Sequence, residues 1–321
     1  MEFIKNQMKK KAIIVSLKGF NLSTNEKNLI KNEKPWGVIL FRRNIKSYKQ
    51  VKNLTKNIRL ASCDKNFPIL IDEEGKTVSR LKGLIDNNLT QKIFGDIFEK
   101  DPLNGFNIYK IYINRLTNFF KKIGININTV PVLDVIRDKK NKIIGERSFS
   151  KNQKIVKRLG QICVHQYKKN KIGTVIKHIP GHGCTPIDTH LKMPKVSLDL
   201  KELKKIDFYP FKSNKSFFAM TAHILYSQID KRHVATFSKE IISKIIRKQI
   251  GFKGILISDD ISMKSLKYDL LTNAQKSLIA GCNLVLYCAG NYKDSLKLIR
   301  NIPFIDKFTA KKTSEFYKFL R

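Results

Sequence analysis

Eight short apolar runs punctuate this chain and leave little choice of fold. They are Ala12 to Leu17, Gly37 to Phe41, Pro68 to Asp72, Asn126 to Asp134, Gly173 to His178, Phe217 to Ala222, Gly254 to Asp259 and Asn283 to Tyr287. Val, Ile and Leu fill most of them without strict alternation, the pattern of strands buried on both faces. Stretches with helical spacing lie between most of them. Ile108, Ile111, Tyr112, Leu116, Phe119 and Phe120 form one apolar stripe. Ile155, Val156, Leu159, Ile162, Cys163 and Tyr167 form a second, and Ile241, Ile242, Ile245 and Ile246 a third. Strands alternating with helices specify a parallel sheet. Eight strands in 321 residues, with no GxGxxG fingerprint, favour a closed α/β structure, a (β/α)8 TIM-type barrel, over an open sheet. No internal repeat or change of composition marks a second domain. The expectation is therefore one barrel domain over residues 1–321, with a short basic C-terminal tail at about 304–321.

Composition narrows the setting. The longest apolar runs fall well short of the roughly 18 residues of a membrane helix, so no membrane span is expected. The apolar run after the basic N-terminus is too short for a signal peptide and reads as the first strand. Five cysteines are scattered without a CxxC pair, which suggests neither a disulfide framework nor a zinc ribbon. A reducing cytoplasm follows as the expected location. The net charge of +37 would suit polyanion binding. The lysines, however, are spread along the whole chain without a long basic block, so no specific nucleic-acid partner is expected.

The polar chemistry is concentrated where the apolar runs end. Asp72, Asp134, Lys177-His178, His223 and Asp259 each close a different run. Barrel enzymes carry their reactive groups at the C-terminal ends of strands. The densest stretch runs from Lys177 to His190, where Pro180, Gly181, Gly183 and Pro186 hold the chain out of regular structure. Within it, Asp188 stands two residues from His190, so in an extended loop both side chains point the same way. The carboxylate would fix the imidazole tautomer, and the imidazole could then give and take a proton. An ordinary surface loop explains such a pair equally well on spacing alone. Asp259 and Asp260 follow a strand directly. One acid could act as a nucleophile at the barrel mouth while the other caps the next turn. Arg147 and Lys177 are multi-donor cations suited to sugar hydroxyls or an acetamide oxygen. A metal would draw on His178, His182, Cys184 and His190, but Pro180 and Gly181 break the helix that an H-x3-H pair needs. No metal is expected.

Taken together, these segments resemble the β-N-acetylhexosaminidases of glycoside hydrolase family 3, in particular the compact bacterial type that recycles peptidoglycan. The matching stretches are Val38 to Ile45, Ile71 to Arg80, Pro131 to Val135, Gly145 to Ser150, Lys177 to His190 and Ile257 to Met263. They occur in the family's order and span nearly the whole chain. The resemblance implies a retaining, two-step exo-β-N-acetylglucosaminidase acting on muropeptides, with Asp259 as nucleophile and His190, paired with Asp188, as acid/base. Most glycosidases use two carboxylates instead. It further implies that Asp72, Arg147, Lys177 and His178 grip the terminal N-acetylglucosamine, with Asp134 as another sugar contact. His182 would shape the loop, and Gly181 and Gly183 would be its hinges. No metal or organic cofactor is implied. The partner is a small carbohydrate, and the protein is expected to act as a monomer. Two alternatives stand beside this reading: a phosphorylase on the same scaffold, because a histidine does not repel phosphate, and a non-catalytic basic binding protein. The chain departs from the family after Asp72. Where the family usually has Gly-Gly-Arg after Asp-Gln-Glu, this chain has Gly75-Lys76-Thr77 after Asp72-Glu73-Glu74. That change bears on the turn and on the support of Asp72. Thr189 stands where serine is common.

Overall fold

The computed structural model describes residues 7–137, 141, 143–185 and 193–321. Its centre is a closed barrel of eight parallel strands. In chain order the strands of the molecule are β1 (Lys11–Ser16), β2 (Pro35–Leu40), β3 (Ile69–Ile71), β4 (Ile127–Asn128), β5 (Gly173–Ile179), β6 (Lys195–Val196), β7 (Phe218–Thr221), β8 (Leu225–Tyr226), β9 (Ile255–Asp260) and β10 (Leu284–Tyr287). Around the barrel the order is β1-β10-β9-β7-β5-β4-β3-β2, while β6 and β8 form a separate two-stranded parallel pair. Each of the eight expected apolar runs supplies one barrel strand. The fold is the expected (β/α)8 barrel.

The run from Asn126 to Asp134 is shortened to two strand residues. Pro131 has no N–H to give to a ladder. Beyond it, pairing with β5 resumes: Lys177 N donates to Pro131 O at 3.1 Å and Leu133 N donates to Lys177 O at 2.7 Å. This contact brings Asp134 beside His178.

The helices pack their apolar sides on the barrel, with one shift from expectation. In the helix Pro102–Ile123 the buried side is Gly105, Tyr109, Ile113, Leu116, Thr117, Phe120 and Ile123. Ile108 and Ile111 are 41% and 54% exposed. The helix carries more apolar residues than its buried side can hold, and the expected stripe was rotated toward solvent. The stripe from Ile241 to Ile246 is buried as expected.

Residues 304–321 are not a loose tail. Lys307–Leu320 is a helix capped by Asp306. Its Phe316 is fully buried and sits edge-on to Phe218, at 5.0 Å between ring centroids. Its Thr313 accepts a hydrogen bond from the indole N–H of Trp36 at 2.9 Å. The helix therefore packs on β2 and β7.

Candidate active site

The C-terminal ends of the strands converge on one cleft. It is lined by Asp72 after β3, Arg147 from the turn after β4, Lys177 and His178 in β5, Met220 in β7 and Asp259 in β9. Thr129, Arg80 and His182 add polar groups, and Phe41, Ile143, Met263 and Leu286 add apolar wall. A cleft with apolar walls and a few convergent charges is the usual form of a small-molecule site.

One side of the cleft is a network of buried charge. Lys177 Nζ donates to Asp72 Oδ1 at 2.6 Å and to Thr129 Oγ1 at 3.1 Å. It also lies 2.5 Å from Glu74 Oε1. Glu74 accepts a two-pronged bond from Arg147, Nε to Oε2 at 2.7 Å and Nη2 to Oε1 at 2.9 Å. Arg80 closes the set, with Nη2 donating to Asp72 Oδ2 at 2.7 Å. Burial alone would push the Asp72 carboxyl up, but Lys177 and Arg80 hold it well below the usual carboxylate range. Glu74 is likewise held down against its burial by Arg147 and Lys177. Burial would lower Lys177, yet Asp72 and Glu74 raise it. Asp72, Glu74 and Lys177 are thus charged at neutral pH, as is Arg147. Asp72, Arg147, Lys177 and Arg80 line the cleft, and Glu74 braces Arg147 and Lys177 from behind.

The departure after Asp72 leaves this support intact. Gly75 keeps the positive φ of 129° the turn needs, and a Cβ there would come within 2.1 Å of Leu89 O. The following Lys76 does not have a positive φ, so a side chain is accepted there. Glu73 is buried and anchors the segment, accepting from Arg80 N at 2.7 Å, Leu81 N at 3.0 Å and Asn87 Nδ2 at 2.6 Å. Asp72 draws its cation from Arg80.

Asp134 takes a different place from the expected sugar contact. It does not line the cleft, and its carboxylate is fully buried. It accepts from His178 Nδ1 at 2.7 Å and from His182 N at 2.6 Å. With Nδ1 committed to Asp134, the other edge of the His178 ring faces the cleft. Asp134 therefore orients His178. His182 was expected only to shape the loop, but it lines the cleft, and its Nδ1 is buried without a hydrogen-bond partner among the described residues. Burial, then the neighbouring His178, pushes it down to about 4, so its ring is neutral.

The two adjacent acids are separated by their partners. Asp260 accepts from Ser262 N at 3.1 Å, Ser262 Oγ at 2.7 Å and Cys288 N at 3.2 Å, and so ties the turn after β9 to the end of β10. The Asp259 carboxylate accepts from Asp260 N at 2.8 Å, and both acids line the cleft. Burial works against its charge, but His223, His178 and Lys177 nearby hold it below the usual range. A carboxylate that is ionised and half-buried on a cleft wall is equipped for nucleophilic attack.

Asp188 and His190 lie outside the described residues. The base of their loop is described, and it contradicts the expected hinges. At Gly181 a Cβ would stand 2.8 Å from Asp207 Cβ, and Tyr226 hydroxyl donates to Gly181 O. At Gly183 a Cβ would stand 1.8 Å from Val135 O. Asn141 Nδ2 donates to Thr185 O at 2.7 Å. These glycines are there for close packing, and the segment from Gly181 to Thr185 is clamped.

Sequence reasoning missed Glu74, Arg80 and Thr129 as site residues, and gave His223 no role. Glu74 and Arg80 lay inside a quoted segment, but their partners are remote in sequence. Among the described residues, no group of three or more His, Cys, Asp or Glu is arranged to hold a metal ion. No described helix is long and apolar enough to cross a membrane.

Known proteins resemble this chain in sequence and fold. The model of the glycosyl hydrolase family 3 N terminal domain matches residues 6–307. A beta-hexosaminidase of Neisseria meningitidis serogroup C (strain 053442) is 33% identical over 283 residues, covering 86% of this chain and 77% of the relative. One of Bordetella avium (strain 197N) is 30% identical over 287 residues, covering 86% and 80%. The crystal structure of NagZ from Neisseria gonorrhoeae in complex with N-trifluoroacetyl-D-glucosamine superposes with a TM-score of 0.85 at 29% identity, covering 97% of this chain and 90% of that one. The chain belongs to glycoside hydrolase family 3 and is a glycoside hydrolase of the β-N-acetylhexosaminidase type.

Proposed function

We propose that the protein is a retaining exo-β-N-acetylglucosaminidase that removes terminal N-acetylglucosamine from muropeptides of the N-acetylglucosaminyl-1,6-anhydro-N-acetylmuramic acid type. It works as a monomer in a reducing cytoplasm. The observation that carries the reaction is the Asp259 carboxylate, ionised and aimed into a cleft whose other side presents Asp72, Arg147, Lys177 and His178. Asp259 attacks the anomeric carbon while the imidazolium of His190, held by Asp188, protonates the departing oxygen. A glycosyl-enzyme forms through the Asp259 oxygen. The neutral His190 then removes a proton from water, which attacks the same carbon and releases the sugar with its original configuration. Asp72 and its two cations hold the sugar hydroxyls, and the apolar wall of Met220, Met263 and Leu286 excludes water. The solved neisserial relative bound to N-trifluoroacetyl-D-glucosamine supports an N-acyl glucosamine in this cleft. The muropeptide aglycone rests on family resemblance.

The test is hydrolysis of an aryl N-acetyl-β-glucosaminide in phosphate-free buffer by the wild type, Asp259→Ala and His190→Ala. Asp259→Ala should nearly abolish turnover, and His190→Ala should lower it ~10²–10⁴-fold. The first product seen by NMR should be the β-anomer. Turnover that needs added phosphate and yields a sugar 1-phosphate would make the enzyme a phosphorylase. An Asp259→Ala enzyme with wild-type turnover would overturn the mechanism.

A further inference from the structure

The nucleophile stands in a break of the barrel ladder. Leu284 pairs with Ile257 and Leu286 with Asp260, so Ser258 and Asp259 on β9 face Val285 alone on β10. An extra residue of this kind turns a side chain out of its regular direction and leaves local backbone groups without ladder partners. Side chains take over those bonds. Ser258 Oγ accepts from Leu286 N at 3.0 Å. On the other side, His223 Nε2 lies 3.1 Å from Asp260 O.

We propose that His223 is a positioning residue for the Asp259 carboxylate, acting through its hydrogen bond to the Asp260 carbonyl. This rests on the reading of Asp259 as nucleophile. The ring is fully buried two residues beyond β7. A carbonyl oxygen only accepts, so Nε2 carries a hydrogen. Nδ1 lies 2.7 Å from Thr236 Oγ1, which in turn lies 2.8 Å from Thr221 Oγ1. The Thr236 hydroxyl also lies 3.2 Å from Ala222 O; in the neutral ring it donates to the nearer Nδ1, and Thr221 can donate to it. The charged and titratable groups around the ring are Asp259, Asp260 and His178.

Residue 260 is thereby held at both ends of its main chain. Its N–H donates to Asp259 Oδ1, and its C=O accepts from His223 and from Met263 N at 3.1 Å. Without His223 the carbonyl is held by Met263 N alone, so this segment can shift, and the Asp259 oxygen moves with it. Attack on a bound anomeric carbon is sensitive to such a shift: about 1 Å of misplacement costs ~10²-fold in rate. Groups that grip the sugar lie on other strands and are untouched, so the loss falls on kcat.

The experiment compares His223→Gln with His223→Asn. The Gln amide nitrogen reaches the place of Nε2 and can still donate to Asp260 O, while the shorter Asn amide cannot. His223→Gln should keep kcat within about threefold of wild type. His223→Asn should lose ~10–100-fold in kcat, with inhibition by N-acetylglucosamine unchanged and its melting temperature close to that of His223→Gln. Thr236→Val removes the hydroxyl that keeps the hydrogen on Nε2. It should show the same split more weakly, and it carries the test should His223→Asn not fold. A folded His223→Asn or Thr236→Val enzyme with wild-type kcat overturns the proposal, as does a His223→Gln enzyme as impaired as His223→Asn. Asp259→Ala is run beside them. If it stays active, the nucleophile reading has failed. If it is dead while His223→Asn is normal, the positioning role alone has failed.

Discussion

Replacing Glu74 by Gln isolates the charge network of the cleft with hardly any change of shape. Glu74 faces two cations, Arg147 at 2.7 and 2.9 Å and Lys177 at 2.5 Å. The best amide orientation puts its oxygen where Oε1 now meets Lys177 and Arg147 Nη2. Its NH2 then meets Arg147 Nε–H, two donors about one hydrogen-bond length apart. Two buried cations are left with Asp72 as their remaining carboxylate. Removing one partner from a buried ion pair typically costs about 3–5 kcal/mol, chiefly through the charge left uncompensated. At an unfolding entropy of ~2.1 cal/mol/K per residue, a chain of 321 residues loses roughly 4–7 °C in melting temperature. Arg147 and Lys177 are also loosened in the cleft, so KM for an aryl N-acetyl-β-glucosaminide should rise about tenfold while kcat changes less. The pH dependence fixes the cause. Although burial opposes it, Arg147 and Lys177 hold Glu74 below its ordinary 4.5 when folded. Its stabilisation is therefore complete above that value and is lost as pH falls through the folded one. The gap in melting temperature between wild type and Glu74→Gln should be widest near pH 7 and narrow below pH ~4. Thermal melts across pH, with Michaelis kinetics at pH 7, decide the matter. A variant melting within about 1 °C of wild type at unchanged KM, or a gap that widens as pH falls, would refute the reasoning.

Gly183→Ala should lower both stability and turnover, because its Cβ would meet Val135 O at 1.8 Å and the segment bearing His182 and Thr185 would have to shift. A melt and a single rate measurement suffice, and unchanged values would show that the loop base is not clamped. Alkylation should separate the cysteines. Cys63 is the exposed one, whereas burial pushes Cys163 and Cys282 up to about 12. Mass spectrometry of the folded enzyme at pH 7.5, treated briefly with iodoacetamide, should find Cys63 modified first, and early labelling of Cys163 would contradict the packing. Asp134→Asn should impair substrate binding through His178, which loses the carboxylate at 2.7 Å. A KM equal to that of wild type would show that Asp134 does not act on binding through His178.

The barrel was legible in the sequence because a strand covered on both faces must be apolar at every position, and that property is local. The strand-end polar residues were legible for the same reason: a charge following such a run has only the barrel mouth to go to. This located Asp72, Lys177, His178 and Asp259 from the chain alone. The helix faces were less certain. Ile108 and Ile111 are apolar but exposed, since periodicity counts candidates and only the barrel selects which of them it covers. Partnership was the part that sequence could not carry. Glu74 pairs with Arg147 across 73 positions, Asp134 with His178 across 44, and His223 with Asp260 across 37. Each bond joins segments in or after different strands and exists because the barrel closes. Read locally, Asp134 was a sugar contact and Gly181 and Gly183 were hinges. Tertiary packing made the first a buried acceptor for a histidine and the other two contact points with no room for a side chain. Local composition determines which segments become strands and where reactive groups emerge; burial and long-range hydrogen bonding decide which of those groups face substrate and which hold the others in place.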